Sequence, residues 1–132
     1  MNAQSANRRL ENLERATARL AEALAAPKDT PFIVDATIQR FEFAFELCWK
    51  TMRGFLELEA SSANLATPRA VVKAAYAAGW IDDESEWIGL LQMRNATSHI
   101  YNEKMAQDVY GQIGKFAPLL HDAVTMLRAK AV

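Results

Sequence analysis

The sequence predicts an all-α protein, a bundle of about five helices. Apolar residues recur at intervals of three and four in five segments, the spacing that lines one face of a helix. The 132 residues include only 5 Gly and 4 Pro, which is little material for the frequent turns of an all-β protein. No segment reads as a strand, and we expect residues 1–132 to form one helical domain.

The first helix is predicted from about Ala3 to Ala26, where the apolar residues form a narrow seam of heptad type. Charges of both signs fill its other faces, which is typical of a solvated surface and not of a nucleic-acid patch. Pro27 ends this helix. Thr30 followed by Pro31 then indicates an N-cap with proline at the first helical position.

The second helix is predicted from about Pro31 to Ala60, and it is apolar around most of its circumference. One face carries Ile38, Phe41, Phe45, Cys48, Met52 and Phe55, and the opposite side carries Phe43, Leu47 and Leu58. Such a helix is either central to the fold or part of an oligomer interface. In the thin polar sector, Glu46 and Lys50 have the spacing of a helix-surface ion pair. Cys48 is expected to be an inert buried thiol.

Two shorter helices follow the connector Ser61–Asn64. Thr67-Pro68 repeats the cap-and-proline signal before a third helix, Arg69 to Ala78, which Gly79 closes. Asp82 is predicted to cap a fourth helix, with Asp83, Glu84 and Glu86 favourable to the positive end of its dipole. We interpret this acidic cluster as dipole compensation and expect no metal site.

The last helix is predicted to begin after Asn102 and to run to about Lys130. Gly114 and Pro118 lie within it, so a bend or a break is expected nearby.

Composition restricts the classes of function. No apolar run approaches the roughly 20 residues of a membrane span, and residues 1–5 lack the apolar stretch of a secretory signal. The single Cys48 excludes an internal disulfide, so a reducing cytoplasm is the expected location. The net charge of −1 gives no general attraction to nucleic acid, which would need a local cluster or a groove formed by assembly.

The chemistry is concentrated in Arg94-Asn95-Ala96-Thr97-Ser98-His99-Ile100-Tyr101. Arg94 offers a permanent charge and a planar fork that matches phosphate, and His99 is a candidate general acid or base. In a continuous helix these two side chains would point about 140° apart. They face one substrate only if the helix ends between them, for which Thr97 and Ser98 are suitable, or if two chains contribute. The alternative is structural: Arg94 pairs with a carboxylate and His99 caps a helix C-terminus.

The string Arg94-Asn95-x-x-x-His99-x-Tyr101 resembles the R-x4-H-x-Y motif of the HepT-like branch of the HEPN superfamily. Some members of that branch are labelled nucleotidyltransferase substrate-binding proteins. The resemblance extends, in family order, to residues 40–50 (RFEFAFELCWK), to Pro68-Arg69 and to Asn102-Glu103. It thus covers about Ile38 to Glu103, and every named position of the motif is present.

The resemblance implies an up-and-down bundle with a four-helix core, paired as a homodimer with the two Arg/His motifs close together. It implies a metal-independent ribonuclease acting as the toxin of a two-gene module. The second gene encodes a minimal nucleotidyltransferase, the antitoxin, which transfers AMP to the tyrosine that corresponds to Tyr101. An older description treats the helical chain as the substrate-binding subunit of that enzyme.

On this basis Arg94 and His99 are the expected catalytic residues. Arg94 would hold the scissile phosphate of RNA, and His99 would act as general base or general acid. Asn95 is expected to orient His99 or the phosphate, and Ser98 to add a donor. Internal attack by the 2′-oxygen would leave a 2′,3′-cyclic phosphate, and no cofactor is expected. Two other hypotheses remain: a non-catalytic substrate-binding module, and a helical interaction protein whose motif is structural.

Overall fold

The computed structural model describes residues 2–59, 61 and 63–131 of the chain. These residues form five α-helices, one 3-10 turn and no β-strand, as the sequence predicts. The helices are α1 (Ala3–Ala25), α2 (Ile33–Leu58), α3 (Pro68–Ala77), α4 (Glu84–Ala96) and α5 (Glu103–Lys130), and the 3-10 turn is Thr97–His99. None of these helices is both long enough and apolar enough to cross a membrane.

Helix α2 is the centre of the bundle, because it packs against all four of the other helices. The interior is filled mainly by large side chains of α1, α2 and α5, together with Val71 and Val72 of α3 and Leu90 of α4. Every residue of the predicted α2 seam, from Ile38 to Phe55, is buried. Cys48 is buried, as predicted, and burial raises the pKa of its thiol to about 12.

Polar residues cap α1, α3 and α5 by accepting a backbone hydrogen bond. Asn2 accepts from Ser5, Thr67 from Ala70 and Asn102 from Met105. The predicted cap at Thr67 and the predicted start of the last helix after Asn102 are therefore confirmed. Gly79, in the left-handed region at φ 77°, follows α3, and the Trp80 amide donates to the Ala75 carbonyl in the closing turn.

The predicted cap at Thr30-Pro31 is wrong. The Ile33 amide donates to the Thr30 carbonyl in a turn, and Phe32 takes the N-cap position at φ 63° and ψ 14°. A left-handed residue cannot lie inside a right-handed helix, so Pro31 is excluded from α2. Phe32 is also 81% exposed, which leaves a large aromatic group in solvent at a strained position.

Two further features differ from the predictions, and two residues with predicted roles lie outside the described part of the chain. Asp83, not Asp82, caps α4, because its carboxylate accepts the Glu86 amide and the Ser85 hydroxyl. Helix α5 is not broken at Gly114 or Pro118 but runs through both. Ala60, the predicted last residue of the second helix, and Ser62 of the connector lie outside the described residues.

Candidate functional site

The C-terminus of α4 separates Arg94 from His99. Helix α4 ends at Ala96, and Thr97–His99 forms a single 3-10 turn. The buried Thr97 hydroxyl donates to the Arg94 carbonyl at 2.6 Å, and it thereby satisfies one of the acceptors that the helix end exposes. Helix α4 therefore ends between Arg94 and His99, which is one of the two conditions under which both residues can face one substrate, and the Thr97 hydroxyl stabilises this end.

The Arg94 guanidinium is held between α4 and α2. Its Nη2 donates to Glu46 Oε1 at 2.9 Å, and its Nη1 donates to Ser98 Oγ at 3.3 Å. The side chains of Arg94 and Glu46 are 28% and 33% exposed, so solvent reaches both partners. The structural alternative was correct in pairing Arg94 with a carboxylate, although the pair is accessible and not sealed in the core.

Glu46 collects three donors. Besides Arg94, the Trp49 indole N–H donates to Oε2 at 3.2 Å, and Lys50 Nζ lies 3.6 Å from the same oxygen. Partial burial acts to raise the pKa of Glu46. The hydrogen bonds from Arg94 and Trp49, with the charges of Arg94 and Lys50, outweigh it and hold the pKa below its ordinary value. Glu46 therefore stays ionised and fixes the guanidinium in place.

Sequence reasoning assigned Glu46 only to the ion pair with Lys50 and missed its contact with Arg94. The two residues are 48 positions apart. Spacing along one helix cannot reveal a contact between α2 and α4. The one signal in the sequence was that Glu46 falls in a polar sector too thin to be an ordinary solvated face.

A groove between α1 and α2 ends at Arg94. It has a volume of about 730 Å³ and is open to solvent. Its lining combines three guanidinium groups, two carboxylates and an exposed aromatic ring: Ala16, Arg19, Ala36, Gln39, Arg40, Glu42, Phe43, Glu46 and Arg94. Near its end, Arg53 lies over the Trp49 ring with the guanidinium carbon 4.9 Å from the centroid. The groove thus carries three guanidinium groups against two carboxylates, and among the described residues two of the three are in ion pairs: Arg94 with Glu46 and Arg40 with Glu22.

His99 and Tyr101 form a second, exposed pair. The Tyr101 hydroxyl lies 3.2 Å from His99 Nδ1, and the ring centroids are 6.3 Å apart. Tyr101 is 77% exposed. The phenol is therefore open to solvent.

The predicted site residues are brought together in two groups. Arg94 contacts Ser98, and His99 contacts Tyr101. In the described part of the chain, no hydrogen bond joins Arg94 to His99, and Asn95 is exposed without a hydrogen bond to either. It stays a prediction that Arg94 and His99 act on one phosphate. The roles assigned to Asn95 and Ser98 also stay predictions.

Metal ligands do not cluster in this region. Within residues 2–59, 61 and 63–131, no three His, Cys, Asp or Glu side chains lie close enough together to hold a metal ion. The acidic cluster before α4 functions as a cap: Asp83 accepts two hydrogen bonds, and Glu84 and Glu86 lie in the first turn.

Comparison with known proteins gives a family match over most of the chain. Residues 8–129 match the family described as nucleotidyltransferase substrate binding protein like. A curated protein of Haemophilus influenzae named probable ribonuclease HepT is 34% identical over 87 residues. That segment covers 64% of this chain and 60% of the relative, so the match spans less than two thirds of that protein's length.

Two solved structures share the fold. A crystal structure from Thermus thermophilus has a TM-score of 0.77 and 32% identity, with 88% of this chain and 98% of that chain covered. A Haemophilus influenzae protein has a TM-score of 0.66 and 26% identity, with 96% and 99% covered. The second structure is described as revealing the fold of a substrate binding domain of a nucleotidyltransferase. These matches confirm the fold class and the family resemblance that the motif indicated.

Proposed function

The chain belongs to the family of nucleotidyltransferase substrate binding protein-like chains, and from this premise we propose that it is a metal-independent endoribonuclease. We further propose that it is the toxin of a two-gene module and that a minimal nucleotidyltransferase restrains it. The relative named probable ribonuclease HepT supports the first proposal. The family description supports a nucleotidyltransferase as the partner.

The observation that carries the proposal is the end of α4 between Arg94 and His99. An unbroken helix would direct the two side chains about 140° apart. Helix α4 ends at Ala96, and after the 3-10 turn the backbone becomes extended at Ile100, so His99 is exposed at the end of the helix while Arg94 lies at the edge of the α1/α2 groove. A guanidinium that binds phosphate and an imidazole that moves protons are the groups that cleavage without a metal requires.

In the proposed reaction an RNA 2′-oxygen attacks the neighbouring phosphorus, and the bond from phosphorus to the 5′-oxygen breaks. His99 accepts the 2′-hydroxyl proton or donates a proton to the leaving 5′-oxygen. Arg94 stabilises the added negative charge of the pentacoordinate transition state. The products are a 2′,3′-cyclic phosphate and a 5′-hydroxyl.

Pairing with Glu46 is compatible with phosphate binding by Arg94. A guanidinium has five N–H donors, of which Glu46 and Ser98 take one each. The carboxylate fixes the orientation of the fork, and the remaining donors are available to the substrate. Ser98 adds a hydroxyl beside the same phosphate, and Asn95 orients His99 or the phosphate.

One histidine per motif cannot readily serve as acid and base in a single step, so we propose that two protomers supply both. The outer side of α2 supports a homodimer, because Phe43 is 61% exposed there and Phe32 is exposed at the start of the same helix. Aromatic side chains are enriched in the buried centres of protein–protein interfaces. Phe43 also lines the groove that ends at Arg94, so association through this side would bring two motifs together.

The dimer is tested by measuring molar mass in solution for the wild type and for Phe43→Asp. A charge at this position is expected to shift the equilibrium toward monomer while leaving the helical content unchanged. Tyr76→Asp, at an exposed tyrosine of α3, is the matched control and should leave the mass unchanged. Equal masses for wild type and Phe43→Asp would exclude this side of α2 as the interface.

We propose that the partner nucleotidyltransferase transfers AMP to Tyr101. The exposure of this phenol supports its role as an acceptor. A phosphate on Tyr101 would carry negative charge close to Arg94 and would compete with the substrate for that position.

A second candidate function is a non-catalytic subunit that presents a substrate to the nucleotidyltransferase. The solved relative described as a substrate binding domain favours it, as does the pairing of Arg94 with Glu46 inside one chain. An acceptor tyrosine serves both candidates, whereas only catalysis needs His99.

The two candidates are separated by expressing the wild type, Arg94→Ala and His99→Ala in growing bacteria without the partner. The ribonuclease proposal predicts growth arrest by the wild type and relief by either substitution. Soluble yield and helical content of the three proteins control for folding. Equal growth of all three strains at equal yield would leave the binding subunit as the surviving candidate.

A further inference from the structure

The backbone conformation between the 3-10 turn and α5 places the side chains of His99 and Tyr101 beside each other. Ile100 is extended, at φ −95° and ψ 113°, and its side chain packs against the core. Side chains on either side of an extended residue project to the same side. With Ile100 turned inward, His99 and Tyr101 therefore project outward together, which brings the hydroxyl to 3.2 Å from Nδ1.

We propose that Tyr101 is a positioning residue for His99. Its hydroxyl holds Nδ1, which leaves Nε2 as the ring nitrogen that faces the substrate. Any group attached to the phenolic oxygen then lowers the activity of His99 by removing this hydrogen bond, in addition to the effects of the group's own bulk and charge. This proposal rests on the proposed function for the role of His99 in catalysis, but the positioning is measurable without any activity.

A phenol suits this position because it both donates and accepts a hydrogen bond. When Nδ1 carries the proton, the phenolic oxygen accepts it, and Nε2 is free to take a proton as a base. When Nε2 has taken a proton, the ring is an imidazolium that still carries hydrogen on Nδ1, and the phenolic oxygen continues to accept from it. If the neutral ring instead carries its hydrogen on Nε2, the phenol donates to the bare Nδ1. The contact therefore persists in every protonation state of the ring.

Modification of the oxygen breaks this arrangement. In a transfer from a nucleoside triphosphate, the phenolic oxygen forms a bond to the α-phosphorus. The bond from that phosphorus to pyrophosphate breaks, and the phenolic proton passes to solvent. The resulting aryl ester has no hydrogen to donate and is a weak acceptor, so Nδ1 loses its partner. Even a small, uncharged group on this oxygen should have the same effect on His99.

The direct test is nitrogen NMR of the full-length protein labelled with ¹⁵N-histidine. The chain has two histidines, so His99→Ala assigns the signals and His121 is an internal control. In Tyr101→Phe, the Nδ1 and Nε2 shifts of His99 and their pH titration are expected to change, while those of His121 stay the same. Tyr76→Phe, at another exposed tyrosine, should change neither. Identical His99 shifts in wild type and Tyr101→Phe would overturn the proposal.

The kinetics of RNA oligonucleotide cleavage provide a second test of the proposal. Loss of one hydrogen bond to His99 should lower kcat about tenfold in Tyr101→Phe and displace its pH profile, with little change in KM. O-methyltyrosine incorporated at position 101 should produce the same loss, although it adds neither charge nor large bulk. Full activity of the O-methyl variant would contradict the proposal. A wild type that cuts no RNA would defeat the proposed function, and the NMR arm would still decide whether Tyr101 positions His99.

Discussion

The two sides of α2 differ in how they use their aromatic residues. The inner side buries Phe41, Phe45 and Met52 almost completely. The outer side exposes Phe43 and carries Glu46, which holds Arg94 of α4. Both sides contain aromatic residues, yet the inner rings are buried whereas the Phe43 ring is mostly in solvent. It follows that the Phe43 ring contributes little to the stability of the monomer and is accessible for association.

The largest expected effect comes from truncating matched phenylalanines on the two sides. Phe45→Ala should lower the free energy of unfolding by about 3–5 kcal/mol, because it opens a cavity in the core. Phe43→Ala should change the monomer by less than about 0.5 kcal/mol, because its ring is already in solvent. Denaturant unfolding of both variants at low protein concentration measures the contrast. Equal losses would show that Phe43 is not a surface residue of the folded chain.

The second prediction concerns the charged end of the outer side. Arg94→Lys keeps the charge but loses the planar fork that contacts Glu46 and Ser98, so RNA cleavage should fall about 100-fold. Arg128→Lys is the matched control, because Arg128 pairs with Glu14 between α5 and α1 as Arg94 does with Glu46. Cleavage rates under single-turnover conditions test the pair. A comparable loss in both variants would point to stability and not to the site.

A smaller effect is expected at Glu46. Glu46→Gln should lower the free energy of unfolding by about 1 kcal/mol at neutral pH, since a part-buried, charge-assisted hydrogen bond to Arg94 is weakened. The folded pKa of Glu46 lies below its ordinary value, so this stabilisation is complete above the unfolded pKa. It is lost as the pH falls through the folded pKa. Denaturant unfolding of the wild type and Glu46→Gln across an acidic pH series measures the difference in their free energies of unfolding. A difference that did not shrink toward low pH would contradict this prediction.

The smallest effect separates two buried threonines of α2. Thr37 Oγ1 is buried without a hydrogen-bond partner among the described residues, whereas Thr51 Oγ1 donates to the Leu47 carbonyl at 2.6 Å. Thr37→Val should raise the free energy of unfolding by about 0.5–1 kcal/mol, because an unsatisfied polar group is replaced by a methyl group. Thr51→Val should bring no such gain. Thermal unfolding of the two variants compares them, and a loss in Thr37→Val would show that its hydroxyl has a partner.

Local patterns predicted most of the fold. The seam of α2, the cap at Thr67 and the start of α5 after Asn102 each depend on residues a few positions apart, and each is confirmed. The cap at Thr30-Pro31 failed because a left-handed Phe32 intervened, and no local preference of phenylalanine indicates that conformation.

Sequence patterns predicted only those features of the candidate site that depend on residues close together in the chain. The hydroxyl side chains of Thr97 and Ser98 marked a suitable place for a helix end, and α4 does end at Ala96, just before them. The contact of Arg94 with Glu46 depends on how α4 packs on α2, which spacing along the chain cannot supply. The contact of Tyr101 with His99 depends on the extended backbone at Ile100.

The central claim is that Arg94 and His99 cleave RNA. The most direct measurement incubates the purified wild type, Arg94→Ala and His99→Ala with an RNA oligonucleotide in the presence of a metal chelator, followed by analysis of the product ends. The account predicts that the wild type alone cleaves, leaving 2′,3′-cyclic phosphate and 5′-hydroxyl ends. No cleavage by the folded wild type, or equal cleavage by all three proteins, would contradict it.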